Sequence, residues 1–167
     1  MGNGDGQLEY PSAVAIDSNG YYFITDFGNH GIQVFDSNGQ FIRKFGTEGN
    51  GNGQFDLTVG IGFLSNGNVV VSELGNNRIS IFDSLGNFIK IIDDGEIDKP
   101  FHLFVDSDDN ILVADSENER IAIYSSESGN LIKSIPTKDY VGNPRGVTMD
   151  RDGRIIVCGL GSKIAIY

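Results

Sequence analysis

Several short stretches of this sequence contain residue types that could do chemistry. Residues 45–55 read FGTEGNGNGQF, a glycine-rich run of the kind whose backbone N–H groups hold phosphates. Residues 26–28 read DFG, the tripeptide that binds metal in protein kinases. Residues 106–110, DSDDN, begin like a calcium-binding loop, and the imidazoles of His30 and His102 are potential zinc ligands.

None of these stretches has the surroundings that its chemistry requires. A phosphate loop leads into a helix whose N-terminus holds the anion, whereas FGTEGNGNGQF leads into a strand pattern. The DFG tripeptide stands without any other kinase motif, and Ile111 occupies the sixth position, where a calcium loop requires Gly. A zinc site needs three or four ligands. We therefore expect no catalytic residue, no metal site and no cofactor.

A larger pattern organises the whole chain, because one unit occurs four times. In each copy an apolar run ends just before a turn, and the residues at these ends are Asp17, Leu64, Asp106 and Asp150. The steps between them are 47, 42 and 44 residues. FGTEGNGNGQF falls within the longest step, and residues 2–8, GNGDGQL, repeat it one copy earlier. We therefore interpret it as a connection between units.

Each complete unit contains four short runs rich in Val, Ile, Phe and Tyr, which is typical of β-strands. Dipeptides favoured in tight hairpins, Asn-Gly or Asp-Gly, stand at 19–20, 38–39, 66–67 and 152–153. Four antiparallel strands per repeat predict one β-propeller blade per unit. We expect a single all-β propeller segment over residues 1–167 of about 3.75 blades, a partial propeller or open arc. The predicted blades are at about residues 11–46, 58–92, 100–135 and, incomplete, 144–167.

The unit resembles the NHL repeat. The Gly-x-Gly-Gln connections, the leading Pro, the Asp that ends the first run and the glycines match that repeat together over almost the whole chain. The tripeptide position carries Asn29-His30-Gly31, Asn76-Asn77-Arg78 and Asn118-Glu119-Arg120. Copy two lacks the leading Pro, and copy four has Gly159 where the others have an acid. The resemblance implies a propeller like those of tripartite-motif (TRIM-NHL) proteins, which bind partner proteins or single-stranded RNA on the top face.

Two acid–arginine pairs recur with the repeat, Glu73 with Arg78 and Asp115 with Arg120. Each pair spans a strand–loop–strand hairpin, across which a guanidinium can bind a carboxylate and loop carbonyls. We expect structural ties rather than catalytic pairs, because they recur. The first copy has Gly31 where Arg is expected, so the tie is expected to be absent there.

Composition narrows the classes of partner. The net charge is −11, which weighs against DNA, against non-specific RNA binding and against anionic membranes. Cys158 lies alone in the apolar run RIIVCG, so we expect a buried, unreactive thiol. The sequence has neither an apolar run of ~18 residues nor a signal-peptide pattern, so we expect a cytoplasmic protein, with secretion left open.

Candidate binding residues are those that break the repeat on one predicted face, the top, where the strand-four-to-one connections and the strand-two-to-three loops lie. These residues are Phe27, His30, Phe101, His102 and Arg145. Aromatic rings beside a cation suit a peptide or single-stranded RNA. We favour a non-catalytic module that binds a protein or peptide, with single-stranded RNA as the alternative. A metal-dependent propeller lyase or lactonase, also suggested by the resemblance, is a second alternative without a visible ligand set.

The number of units raises a further expectation. Rings of this family typically have six blades, on the order of 250 residues at this repeat length. The present units therefore indicate a fragment, an open arc, or an oligomer that completes the ring. We favour a fragment whose exposed blade edges pair with another chain, because an unpaired strand edge invites association.

Overall fold

The structure, a computed structural model, describes residues 2–161 and 163–167. Its strands pair antiparallel in chain order, so the predicted all-β propeller architecture is confirmed. Blade 1 contains β1 (Pro11–Ile16), β2 (Tyr22–Asp26), β3 (Gly31–Phe35) and β4 (Phe41–Phe45). Blade 2 contains β5 (Thr58–Phe63), β6 (Val69–Glu73), β7 (Arg78–Phe82) and β8 (Phe88–Ile92). Blade 3 contains β9 (Pro100–Val105), β10 (Asn110–Asp115), β11 (Arg120–Ser125) and β12 (Leu131–Pro136). Blade 4 contains β13 (Pro144–Met149), β14 (Ile155–Gly159) and β15 (Ile164–Ile166).

Each hairpin turn contains one residue with a left-handed backbone conformation. The type I′ turn of a two-residue hairpin would contain two such residues. In the first turn the N–H of Gly20, at φ +83°, donates to the carbonyl of Asp17 at 3.0 Å. The Asp17 carboxylate accepts from the N–H groups of Asn19 and Tyr21. This is a type I turn followed by a left-handed residue, which explains the Asp two residues before three of the four Asn-Gly or Asp-Gly pairs; Leu64 stands at that position before the fourth.

The blades pack face to face in chain order through their inner strands, β1 against β5, β5 against β9 and β9 against β13. Three apolar clusters fill the three joints, with Phe23 and Val71 in the first, Val70 and Ile111 in the second, and Leu112 in the third. Each blade thus has a trailing face toward the preceding blade and a leading face toward the next. Among the described residues, no helix is long or apolar enough to cross a bilayer.

Two of the joints also share a hydroxyl bridge. The Thr25 hydroxyl accepts the Ala13 N–H at 2.7 Å and donates to the Val59 carbonyl of blade 2 at 3.0 Å. One blade on, the Ser72 hydroxyl accepts the Gly60 N–H and donates to the carbonyl of Phe101. A side chain on the second strand of one blade therefore holds the inner strand of the next.

Candidate functional site

The structure brings together two of the five candidate residues, Phe101 and Arg145. They occupy the second position of the inner strands of blades 3 and 4, at the top of the joint between these blades. The Arg145 guanidinium carbon lies 4.1 Å from the centre of the Phe101 ring, within cation–π distance. Phe101 also packs against the apolar cluster between the two blades, whereas Arg145 is exposed. The result is a charged side chain that lies over a half-buried ring at the surface.

His102 lies in a cleft that neither Phe101 nor Arg145 lines. It lines an apolar cleft of about 320 Å³ together with Gly146, Cys158 and Ile164. Burial lowers the pKa of the imidazole from 6.5, because the cleft disfavours the charged ring. His102 is therefore held in the neutral form down to lower pH than an exposed histidine.

This burial gives the folding stability a pH dependence. Because the unfolded chain binds a proton at His102 more readily than the folded chain, acidification below the ordinary pKa of 6.5 favours unfolding. In urea titrations, the loss of unfolding free energy between about pH 7.5 and about pH 5.5 should be larger for the native chain than for His102→Gln. Equal losses in the two proteins would contradict this assignment.

His30 takes part in a joint between blades instead of facing a ligand. Its backbone is left-handed, at φ 51°, and its Nδ1 accepts the N–H of Leu57 from blade 2 at 3.2 Å. The next blade repeats this contact, since Asn77, at φ 52°, accepts the N–H of Lys99 through Oδ1 at 3.0 Å. His30 lines a different cleft from His102, and the structure does not bring the two imidazoles together.

Phe27 likewise lies apart from Phe101 and Arg145. It begins a short 3₁₀ turn, Phe27–Asn29, in the β2–β3 loop of blade 1, and its side chain is half-buried. Of the five candidates, only those at the joint between blades 3 and 4 form a shared surface with a cation over a ring.

A buried carboxylate stands at the end of the second strand in three blades: Asp26, Glu73 and Asp115. In blade 2 the Arg78 Nε donates to Glu73 at 2.9 Å, and in blade 3 the Arg120 Nε donates to Asp115 at 2.6 Å. These ion pairs lie at the ends of the second and third strands of blades 2 and 3, and their carboxylates are fully buried.

An asparagine side chain also binds each of the three buried acids. The sequence analysis did not assign this role to the asparagines. The side-chain amide of Asn76 donates to Glu73 at 2.6 Å and to the carbonyl of Gly49 at 2.9 Å. Asn29 and Asn118 make the equivalent pairs of hydrogen bonds. The available signal was the Asn that begins all three NHL-type tripeptides. Its amide connects the buried acid to the incoming chain.

Blade 1 has no arginine tie, in line with Gly31, but another side chain binds its buried acid. Gly31 offers no guanidinium, but Gln33, which is two residues further along β3, binds the carboxylate instead. The Gln33 amide donates to Asp26 at 2.8 Å and to the carbonyl of Gln7, while its carbonyl accepts the N–H of Gly6 at 3.0 Å. The Gln33 side chain therefore joins the buried Asp26 carboxylate to the connection before β1, as the arginines do in blades 2 and 3.

The glycine-rich stretch at residues 45–55 is held by the same kind of network. Arg78 donates to the carbonyls of Asn50, Gly51 and Gln54 at 2.8, 3.1 and 2.8 Å. These carbonyl oxygens point at the Arg78 guanidinium, so the loop binds a positive charge of the protein itself. At its end Phe55 is fully buried in the joint between blades 1 and 2.

The expectation of a buried thiol was wrong, because Cys158 is exposed. It occupies the same position as Thr25 and Ser72, whose hydroxyls contact the next blade. In blade 4 no described residue covers this position. Within the described ranges, no group of three or more His, Cys, Asp or Glu residues is arranged to hold a metal ion.

Repeated four-stranded sheets, packed through inner strands and tied at the top by buried acids, define a β-propeller. The family model of the NHL repeat matches residues 8–35. Together with the recurring units and the blades described above, this match supports an NHL-repeat propeller. A comparison with curated protein sequences finds no match.

Solved structures share this fold. Streptogramin B lyase superposes with a TM-score of 0.74 at 19% identity, over 94% of this chain and 54% of that one. For hydrazine synthase of Kuenenia stuttgartiensis the values are 0.75 and 20%, over 93% and 44%. For the WD40 propeller domain of Doa1 they are 0.72 and 18%, over 93% and 49%. At these identities the likeness shows the fold alone, and the chain spans about half the length of these structures.

Proposed function

We propose that this chain is a non-catalytic recognition module that binds a partner protein or peptide at the top of the joint between blades 3 and 4. The observation that carries the proposal is the exposed Arg145 guanidinium over the ring of Phe101. Arginine and aromatic side chains dominate the binding energy of protein interfaces. A guanidinium held over a ring loses little conformational freedom when it binds a carboxylate or a backbone carbonyl.

The exposed acidic residues at the top of blade 3 favour protein over RNA as the partner. The connection that leads into β9 exposes Asp93, Asp94 and Glu96, and the loop after β10 exposes Glu117. Single-stranded nucleic acid is bound in positively charged grooves, which this rim does not offer. A peptide that carries both acidic and basic side chains can pair with Arg145 and with these carboxylates.

Catalysis is a weaker candidate for this chain. Similar folds include two enzymes and a WD40 domain, so the propeller is compatible with both kinds of function. The top of the joint between blades 3 and 4 offers a cation and a ring, which bind ligands but supply neither a nucleophile nor a general base. We therefore propose recognition.

Selection of peptides from a random phage-displayed library on the immobilised chain tests the proposal. Selected peptides should bind Arg145→Glu at least about tenfold more weakly than the native chain, as expected for a hot-spot residue. Arg154→Glu is the matched control, because it reverses the charge of an exposed arginine in the turn at the other end of blade 4. Binding that survives Arg145→Glu for every selected peptide would contradict the proposed site.

A second titration separates the two ligand classes. Fluorescein-labelled single-stranded RNA of random sequence, at low salt, should bind weakly and equally to the native chain and to Arg145→Glu. Tight RNA binding that Arg145→Glu abolishes would overturn the preference for protein and would favour an RNA-binding role.

A further inference from the structure

Blade 1 contains a cavity where blades 2 and 3 contain an arginine side chain. Gly31, Arg78 and Arg120 occupy the same position, the first residue of the third strand of each blade. Arg78 and Arg120 bind the buried acid of their own blade and reach the connection that leads into it. At Gly31 this side chain is missing, and a cavity of about 340 Å³ lies there, within the size range of ligand sites.

The carboxylate of Asp26 lines this cavity and is 1% exposed. It accepts hydrogen bonds from the N–H of Glu9 and from the side-chain amides of Asn29 and Gln33. These donors are neutral, whereas the equivalent acids of blades 2 and 3 each pair with a guanidinium. A buried charge is costly unless an opposite charge accompanies it. Blade 1 thus supplies hydrogen bonds to its buried acid, and none of these donors is a cation.

Lys44 also lines the cavity, but its ammonium group is engaged at the rim. Its Nζ donates to the carbonyl of Asn3 at 2.9 Å and pairs with Asp5 at 3.2 Å, and its side chain is 45% exposed. Glu48, which is exposed on the same rim, adds a further negative charge. The interior of the cavity therefore presents a carboxylate, and the cation at its mouth already has a partner.

The cavity is a property of blade 1 and of the connections on either side of it. All the residues that line it lie between Asn3 and Glu48. Blades 2 and 3 each have a preceding blade in this chain, and there the arginine of the blade itself binds the buried acid. The missing side chain in blade 1 therefore follows from Gly31, whichever blades flank it.

We propose that this cavity binds the guanidinium group of an arginine side chain from a partner protein. The occupant follows from the other blades, since the equivalent acids bind the Nε of Arg78 at 2.9 Å and of Arg120 at 2.6 Å. A guanidinium is planar, presents five donors and is more weakly hydrated than an ammonium, which suits a buried carboxylate. Free arginine would bring its own carboxylate near Glu48, whereas an arginine within a peptide carries no such charge.

This site is distinct from the one proposed at the joint between blades 3 and 4. None of the residues that line the cavity belongs to those blades, so binding there does not depend on Arg145. The net charge of −11 also complements a partner that presents arginine.

A nuclear magnetic resonance titration with N-acetyl-arginine amide tests the proposal, because this compound carries the side-chain charge and no other. The signals of the Asn29 and Gln33 side-chain amides, which bind Asp26, should shift saturably. N-acetyl-citrulline amide, in which an oxygen replaces the cationic nitrogen, should bind at least about tenfold more weakly, as expected for the loss of a charged hydrogen bond. N-acetyl-lysine amide should also bind more weakly than the arginine compound.

Two variants and a control locate the site, with Asn29 as the reporter. The filled variant, Gly31→Arg with Gln33→Ser, gives blade 1 the residues of blade 2 at these positions and should not bind the arginine compound. Asp26→Asn removes the charge and should weaken binding at least about tenfold. Ser18→Arg adds an arginine to an exposed turn at the other end of blade 1 and should bind like the native chain.

Stability gives an independent measurement. The filled variant should unfold at a higher urea concentration than the native chain, because a cation then accompanies the Asp26 carboxylate. Ser18→Arg should leave the urea midpoint unchanged. A lower midpoint in the filled variant than in the native chain would contradict the proposal.

The titration has several outcomes that would overturn the proposal. One is the absence of a saturable shift with the arginine compound, and another is equal binding of the citrulline compound. Binding that survives in the filled variant would place the ligand elsewhere. Equal binding of the lysine compound, or tighter binding of free arginine, would contradict the choice of a partner's arginine. Arg145→Glu should leave the titration unchanged, so failure here and failure of the proposed peptide site are distinguishable.

Discussion

Replacing Arg78 with alanine is expected to lower the free energy of unfolding by about 3–5 kcal/mol. Glu73 is fully buried, and its carboxylate depends on Arg78 Nε, Asn76 and the Ser80 hydroxyl. Arg78→Ala leaves that charge buried without its counterion. The same change removes the donors that hold the carbonyls of residues 50, 51 and 54. Urea titration at one fixed protein concentration measures the loss, because association adds to apparent stability.

Arg154→Ala is the matched control for Arg78→Ala. Arg154 also pairs with a carboxylate, Asp150 at 2.7 Å, but its side chain is largely exposed. Surface ion pairs contribute about 0–1 kcal/mol, so the control should be nearly neutral. Similar small losses in the two variants would show that the buried network contributes little to the stability of blade 2.

Phe55→Ala is the second substitution for which a large loss is expected, also about 3–5 kcal/mol. The ring is fully buried between blades 1 and 2 and lies 5.0 Å from the ring of Phe82 and 6.4 Å from that of Phe45. Gly46 leaves room for it, since a Cβ there would lie 2.2 Å from the Phe55 ring. Removing the ring leaves a cavity under the connection between the blades.

The measurement for Phe55→Ala is the same urea titration, with Leu85→Ala as control. Leu85 is a large apolar residue in an exposed turn of blade 2, so its truncation should change stability by less than about 0.5 kcal/mol. If Phe55→Ala is as well tolerated as Leu85→Ala, the end of the glycine-rich connection does not hold the first two blades together.

The sequence was sufficient to predict the architecture, because the determinants of a blade are local and repeat. Apolar alternation recurs in every copy, and the leading Pro and the Asp that ends the first run recur in three of the four, so each copy supports the assignment of the others. The same recurrence identified the glycine-rich stretch as a connection between units, and the structure places it between the last strand of blade 1 and the first of blade 2. The turn type was not predicted, because Asn-Gly fits both two-residue hairpins and the observed turn with a single left-handed residue.

The errors concern contacts that depend on length and on neighbouring blades. Gln33 compensates for Gly31 because its side chain is long enough to reach Asp26, and a comparison restricted to equivalent positions overlooks that. The exposure of Cys158 depends on whether another blade covers it, and the apolar run around it does not predict that. The structure brings Phe101 and Arg145 into contact, whereas the contact of His30 across a blade joint was not foreseen.

The three internal joints are built from the same positions, and this uniformity has a consequence for how such proteins vary. Every blade carries both halves of one joint, so a unit can be gained or lost without any new type of contact. The residues of the three described joints do not by themselves fix the number of blades. The circumference of a ring is instead set by the small rotation from each blade to the next, summed until the first and last blades meet.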